Sequence, residues 1–206
     1  MTGDMTASAQ YWEERYRDRD PAWGTQPNAT LVAVLSGLDL APGAALDLGC
    51  GHGGDALWLA RGGWRVTAVD VSAIALGRVA DAAHGLAVTT ERHDVTQTLP
   101  RGEFDLVTAT YFQTPLDIDR DAIVRRVSDR VRPGGTLVVI DHGSVPPSSG
   151  LAHVHEFPTP DETLASIGLG ACWTPLRTDT AVRELVMPEG DVVELLDNVL
   201  VLRRAG

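Results

Sequence analysis

The sequence contains no lysine: all 17 of its basic residues are arginine. That absence removes Schiff-base chemistry and the lysine of a Walker-type phosphate loop. It otherwise reads as a coding bias toward GC-rich codons. Cysteine is nearly as scarce, and Cys50 and Cys172 are too few for a disulfide framework or a cysteine zinc site. No apolar run approaches the roughly 20 residues that span a bilayer. The first ten residues lack the basic start and apolar stretch of a secretory signal. The expectation is a cytoplasmic protein with no membrane partner. Positive charge is also in deficit. A formal charge of −11 repels a phosphate backbone, and no block of arginines offsets it, so nucleic acid is not an expected partner.

What is present is an ordinary globular composition, with 44% hydrophobic and 22% charged residues in a chain of 206. That length buries a core in one domain without covalent staples. Residues 10–17 read as a helix, broken at Asp20-Pro21, and Asn28 is placed to cap a second helix over 29–38. Beyond the Pro42-Gly43 turn, short apolar runs alternate with helical stretches. Strands are expected at 44–48, 64–69, 87–92, 104–110 and 136–141, with helices at 55–61, 72–83 and 119–131. Strict alternation of this kind argues for a parallel sheet covered on both faces. The last third breaks the rhythm. A Pro- and Ser-rich loop over 145–160 precedes a short helix from Pro160 to about Leu169. Two strand-like runs, 171–187 and 192–203, then flank a Pro-Glu-Gly-Asp turn and read as an antiparallel hairpin.

The chemistry-bearing segment is Ala45-Leu46-Asp47-Leu48-Gly49-Cys50-Gly51-His52-Gly53-Gly54-Asp55. A strand runs into a glycine-rich turn that opens a helix, where bare backbone and free N–H groups receive a ligand closely. Gly49, Gly51 and Gly54 satisfy G-x-G-x-x-G, and Asp70 follows about twenty residues on, a pattern that equally suits a dinucleotide enzyme. A glycine-rich turn can also be no more than a tight turn. Three further segments narrow the choice: Val69-Asp70-Val71-Ser72 after the second strand, His93-Asp94-Val95 after the third, and Arg132-Pro133-Gly134-Gly135 before the fifth.

In this order and spacing the four segments resemble the motif series of class I S-adenosylmethionine-dependent methyltransferases, and the C-terminal hairpin is similar to that family's antiparallel sixth and seventh strands. The resemblance implies a Rossmann-like α/β sandwich with a mostly parallel seven-stranded sheet, and S-adenosylmethionine as cofactor. A nicotinamide oxidoreductase would need a substrate domain for which there is no room; a non-catalytic cofactor-binding subunit would look the same around the glycine loop. The N-terminal run Tyr11-Trp12-Glu13-Glu14-Arg15-Tyr16, with Pro21-Ala22-Trp23-Gly24, is similar to tellurite-resistance and thiopurine-type methyltransferases. Those act on small, soft nucleophiles beneath an N-terminal cover. One domain is expected, with residues 1–40 as a helical lid, 41–143 as cofactor core and 144–206 as substrate-side loop and hairpin.

The resemblance also distributes roles. Gly49, Cys50, Gly51 and His52 surround the methionine end of the cofactor, and Asp47 orients that loop or takes the amino group. Asp70 takes the ribose, Val71 and Val95 sandwich the adenine, and Asp94 meets its edge. Arg15 is the candidate for the cofactor carboxylate, with Trp23 in the cover; against this, Arg15 is one of three alternate arginines suited to a solvated helix face. Thr110, Tyr111, Phe112 and Gln113 after the fourth strand lie beside the transferred methyl, and Asp141 and His142 face the same crevice. Tyr111 and His142 are the candidate catalytic residues for a small-molecule acceptor: a thiol, metalloid, hydroxyl or amine. His142, His153 and His155 could also be loop histidines, and no metal is expected from their spacing. The protein is expected to be a monomer or homodimer.

Overall fold

The computed structural model describes residues 6–146, 157–187 and 190–206; His153 and His155 lie outside them. Seven strands form one sheet: β1 (Ala44–Leu48), β2 (Arg65–Asp70), β3 (Val88–Arg92), β4 (Phe104–Thr110), β5 (Val131–His142), β6 (Trp173–Val186) and β7 (Val192–Arg204). Their order is β3-β2-β1-β4-β5-β7-β6. The pairs among β1 to β5 are parallel, while β7 runs antiparallel between β5 and β6. The expected mixed sandwich is therefore the observed one.

Side-chain alternation sorts the core into two layers. On one face Ala45, Val66, Ala68, Leu106 and Ile140 pack with α2 (Ala29–Ser36), α3 (Gly54–Arg61) and Val79 of α4 (Ala73–Ala82). On the other, Leu46, Leu48, Val107, Leu137 and Leu200 pack with α5 (Arg120–Ser128) and Ile167 of α6 (Pro160–Ile167). Each fully buried Leu or Ile contributes about 1.5–3 kcal/mol by leaving water. The helices start where side chains satisfy their free N–H groups. Asn28 accepts from Leu31 N, Ser72 from Ala75 N and Asp119 from Ala122 N, and Thr159 and Glu162 close a capping box.

Most boundaries fall within three residues of the sequence reading, and the clearest departures lie around β5. The fifth helix ends at Ser128 rather than 131, and β5 begins at Val131 rather than 136. Val131 already pairs with Phe104, whereas Thr136 pairs with Leu106, so the Pro133-Gly134-Gly135 stretch is a bulge inside the strand rather than a turn before it. A proline at a bulge gives up no ladder bond.

An additional N-terminal helix, α1 (Ala7–Asp18), docks on α4. Tyr16 is buried, and the Glu13 carboxylate accepts from Ser72 Oγ at 2.6 Å at the start of α4. The following segment crosses the start of α3, where Gly54 N donates to Gly24 O at 3.2 Å. A Cβ on Gly54 would lie 2.2 Å from the Gln26 carbonyl oxygen, backbone that cannot swing aside. Gly54→Ala should therefore destabilise by roughly 1–3 kcal/mol, as overpacking does, lowering Tm by about 2–4 °C per kcal/mol in a domain of this size. An unchanged thermal transition would show that the segment over 22–27 is not held against α3.

Candidate active site

β1 feeds directly into the glycine loop. Gly49 (φ 69°) and Gly51 (φ 52°) take left-handed conformations that glycine adopts without strain. Their missing side chains also make room. A Cβ at Gly49 would sit 2.7 Å from Phe112, and one at Gly51 would sit 2.9 Å from the Tyr16 hydroxyl. The loop hangs on the end of β2. Cys50 N donates to Val69 O, and Gly51 N donates to Asp70 Oδ2, both at 2.9 Å. Ser72 N donates to the other oxygen, Oδ1, also at 2.9 Å. Each oxygen of Asp70 thus holds one backbone N–H and keeps acceptor capacity toward a ligand hydroxyl. Burial raises the Asp70 pKa against the pull of those N–H groups.

Asp47 is the more exposed in energy, though buried in space. Thr108 Oγ1 donates to its Oδ1 at 3.0 Å, while Oδ2 is buried with no hydrogen-bond partner among the described residues. Burial, and then the neighbouring Asp55 carboxylate, push its pKa up. Asp55 is itself raised by burial, although Asn28 N donates to it at 2.7 Å. No arginine or histidine forms an ion pair with Asp47, Asp55 or Asp70 among the described residues. Buried carboxylates without a cation suit a ligand that brings one.

A cavity of about 80 Å³ adjoins the loop, walled by Gly49, Asp70, Val71, Val95 and Tyr111, with Trp12 and Tyr16 of α1 over it. Ligand pockets usually enclose ~300–1,000 Å³; this one is smaller, with Trp12 and Tyr16 of α1 and the Phe112 ring in its wall. His93, which sequence reasoning passed over, also reaches the wall, its ring nitrogens 2.9 Å from Thr98 Oγ1 and 3.1 Å from Glu91.

Other expected residues stand away from that cavity wall. Arg15 is exposed, its guanidinium 5.8 Å from the Trp12 ring centre. Trp23 is exposed under Arg19, and its carbonyl receives the His52 Nδ1–H. His52 is buried and takes Arg78 on Nε2, so it pins the N-terminal segment to α4; burial lowers its pKa. Cys50 is half-buried behind the loop, and burial raises its thiol pKa. Asp94 bonds its own turn, accepting from Thr96 N at 3.0 Å and Thr96 Oγ1 at 2.6 Å. Burial pulls its pKa up, but hydrogen bonds from Thr6 and Thr96 outweigh that and hold it down. Thr110 ends β4, half-buried.

Beyond β4 and β5 lies a second cavity of about 450 Å³, walled by Gln113, Arg120, Asp141, His142 and Ser166 among others. Gln113 and Ile118 line both cavities. Arg120 Nη2 meets both Asp141 oxygens, at 2.5 and 2.7 Å, yet burial still lifts the Asp141 pKa to about 6. Gln113 Oε1 accepts from His142 N at 3.0 Å, and His142 Nδ1 is buried with no hydrogen-bond partner among the described residues. Burial, before any neighbouring charge, pushes the His142 pKa down to about 4. Tyr111 differs from its expected role. Its hydroxyl donates to Asp197, 2.8 and 2.9 Å from the two oxygens, and burial with that carboxylate raises its pKa. It presents a ring to the site, not a free acid or base. Asp197, Arg183 and Thr30 form a network that sequence reasoning missed. The signal was there: Asp197-Asn198 is a polar pair interrupting the apolar run from Leu195 to Leu202.

Comparison with known proteins places these features in context. Residues 45–135 match a family described as a methyltransferase domain. The chain is 32% identical over 127 residues to ribosomal RNA small subunit methyltransferase C of Alcanivorax borkumensis, spanning 58% of this chain and 38% of that one. It spans about a third to a half of the length of the curated relatives it matches, 35% to 51%. Among solved structures it is similar to a protein of echinomycin biosynthesis described for conversion of a disulfide bond into a thioacetal group. That pair is 26% identical with a TM-score of 0.76, covering 96% of this chain and 93% of the other. TehB from Haemophilus influenzae (18%, TM-score 0.66, covering 96% and 67%) shares the fold. So does N-methyltransferase NodS from Bradyrhizobium japonicum, solved with S-adenosylhomocysteine (16%, TM-score 0.69, covering 97% and 100%).

The cavity suits such a cofactor: Asp70 on its wall keeps acceptor capacity for vicinal hydroxyls, while Asp47 is buried close by without lining the cavity itself. Asp47→Asn separates fit from stability. Because the folded pKa of Asp47 is raised above 3.8, its ionisation penalises the fold, and the penalty grows as pH rises. The asparagine variant should gain stability relative to the parent as pH is raised from ~5 to ~8. Its affinity for S-adenosylmethionine should fall by on the order of 1.5–3 kcal/mol, the worth of a hydrogen bond to a charged group. Urea titrations across pH and calorimetry read the two effects; a variant that binds the cofactor normally would remove Asp47 from the site.

Proposed function

We infer that this chain, a class I S-adenosylmethionine-dependent methyltransferase, methylates a nucleophilic atom of a small molecule held in the second cavity, and that sulfur is the best-matched acceptor. The observation that supports this reading is the shared wall: Gln113 and Ile118 line both cavities, so the two spaces adjoin across those side chains. When bound, S-adenosylmethionine supplies a methyl group already activated as a sulfonium. What remains for the protein is placement, worth up to ~7–11 kcal/mol when two reactants are held in line. Gly49, Asp70, Val71 and Val95 hold one partner; Gln113 and His142 line the space for the other. His142 stays neutral near pH 7 because burial disfavours its charged form. It therefore offers a lone pair toward an acceptor proton.

Sulfur is supported by the structural relative whose described reaction converts a disulfide, and by the chemistry. A thiol needs to lose a single proton to become a strong nucleophile. The relative named for ribosomal RNA suggests a nucleic acid acceptor instead. A net charge of −11 opposes that reading, because nothing offsets the repulsion from phosphate. We further propose that α1 is the cover of the cofactor cavity. A chain lacking residues 1–25 is expected to stay folded and to bind cofactor more weakly. Wholesale unfolding would instead make α1 an integral part of the core.

The function is tested by following S-adenosylhomocysteine release with thiols, disulfides, tellurite, phenols, amines and an RNA oligonucleotide. Turnover is expected with a sulfur compound and not with RNA. Methylation of RNA alone, or cofactor binding with no turnover on any acceptor, would overturn the reading. With the acceptor in hand, His142→Ala should lower turnover by on the order of 10²-fold with cofactor affinity kept. That is the low end of acid–base effects, as befits a group titrating this far below neutrality. Unaltered turnover would dismiss His142.

A further inference from the structure

Asp197 lies in β7 across from His142 in β5 and Ala181 in β6, with no exposed surface. Donors from a helix, a strand and the loop after β4 converge on it. Thr30 Oγ1 of α2 donates at 2.6 Å, Arg183 Nε of β6 at 3.0 Å, and the Tyr111 hydroxyl at 2.8 Å. Tyr111 follows β4 at φ 50°, the only non-glycine with positive φ among the described residues. A bulky side chain holds that conformation only where its surroundings over-determine it, and such outliers gather at functional sites. Here the surroundings are explicit. The hydroxyl is tied to Asp197, the ring lies over the His142 imidazole at 3.8 Å and 18°, and the Arg183 guanidinium stands 5.7 Å from the ring centre.

We propose that the Arg183–Asp197 pair, its carboxylate buried and its guanidinium half-buried, is the positioning device of the acceptor site: it clamps the Tyr111 hydroxyl, and the clamped ring fixes the His142 imidazole against the wall of the second cavity. The clamp rests on the reading of His142 as the group that meets the acceptor, but it has a readout of its own. Three groups face His142 from packed elements: Asp197 of β7, Arg183 of β6 and the Tyr111 ring. Arg120 and Asp141 line the same cavity. Arg183 opposes protonation of His142 and Asp197 favours it. Removing the arginine charge leaves the carboxylate unbalanced beside the imidazole.

The experiment is a proton NMR titration of His142 in the full chain, with kcat and KM measured alongside. In Arg183→Met the midpoint should rise from about 4 toward the ordinary histidine value of 6.5. The kcat should fall at least tenfold with cofactor affinity unchanged. Arg183→Lys, which keeps the charge, should restore the low midpoint and most of the turnover. A general loosening of the fold would not be rescued by lysine. Tyr111→Phe removes one hydroxyl and leaves the ion pair; it should lower kcat without moving cofactor affinity. An unmoved midpoint and normal kcat in Arg183→Met, or a lysine variant as impaired as methionine, overturns the clamp. If the parent turns over no acceptor, the proposed function fails while the midpoint still decides: a lysine-rescued rise upholds the clamp, and an unmoved midpoint overturns it.

Discussion

Three carboxylates, Asp47, Asp55 and Asp70, are gathered at the carboxyl ends of β1 and β2 and the start of α3, with no cation paired to them among the described residues. Burying charge without a partner is among the costlier things a fold does. Each carboxylate responds with a raised pKa, and each is partly relieved by backbone or hydroxyl donors. The residual imbalance is concentrated on one atom, Asp47 Oδ2. A ligand carrying a sulfonium and an ammonium repairs that imbalance, whereas an anionic dinucleotide would worsen it.

The architecture makes this concentration of charge possible. In a parallel sheet the strands end together, and loops leaving their carboxyl ends converge on one crevice. β1 and β2 bring the glycine loop and Asp70 to one side; β4 and β5 bring Tyr111, Gln113 and His142 to the other. Two buried carboxylates organise the two sides. Asp70 fixes backbone, by taking Gly51 N and Ser72 N. Asp197 fixes side chains, by taking Thr30, Tyr111 and Arg183. Between them the segment after β4 serves both cavities, with Phe112 against Gly49 and Gln113 on the His142 backbone. A disturbance of either carboxylate is expected to reach the other half through that segment.

The sheet was legible in the sequence because apolar runs of strand length alternate with amphipathic helices bearing their own caps. β4 was read to the residue, since Phe104 follows a turn and Thr110 precedes a loop. The glycine turn between β1 and α3 and the place of Asp70 at the end of β2 were legible because their spacing is local to one βαβ unit. What escaped depends on distance along the chain. Asp197 meets Thr30 across 167 positions, a pairing that no local pattern encodes. His52 stands in the glycine loop, yet it turns away to hold Trp23 and Arg78, a choice made by tertiary packing. Tyr111 is a catalytic candidate in the sequence because it follows β4; only the fold reveals that its hydroxyl is spent on Asp197. The β5 bulge escapes the sequence because proline and two glycines signal a turn equally well.

Calorimetric titration of the intact chain with S-adenosylhomocysteine and, separately, with NAD at neutral pH is the most direct test of the central claim. The account predicts saturable binding of the adenosyl compound and no heat from the dinucleotide. Binding of NAD, or of neither, would contradict it.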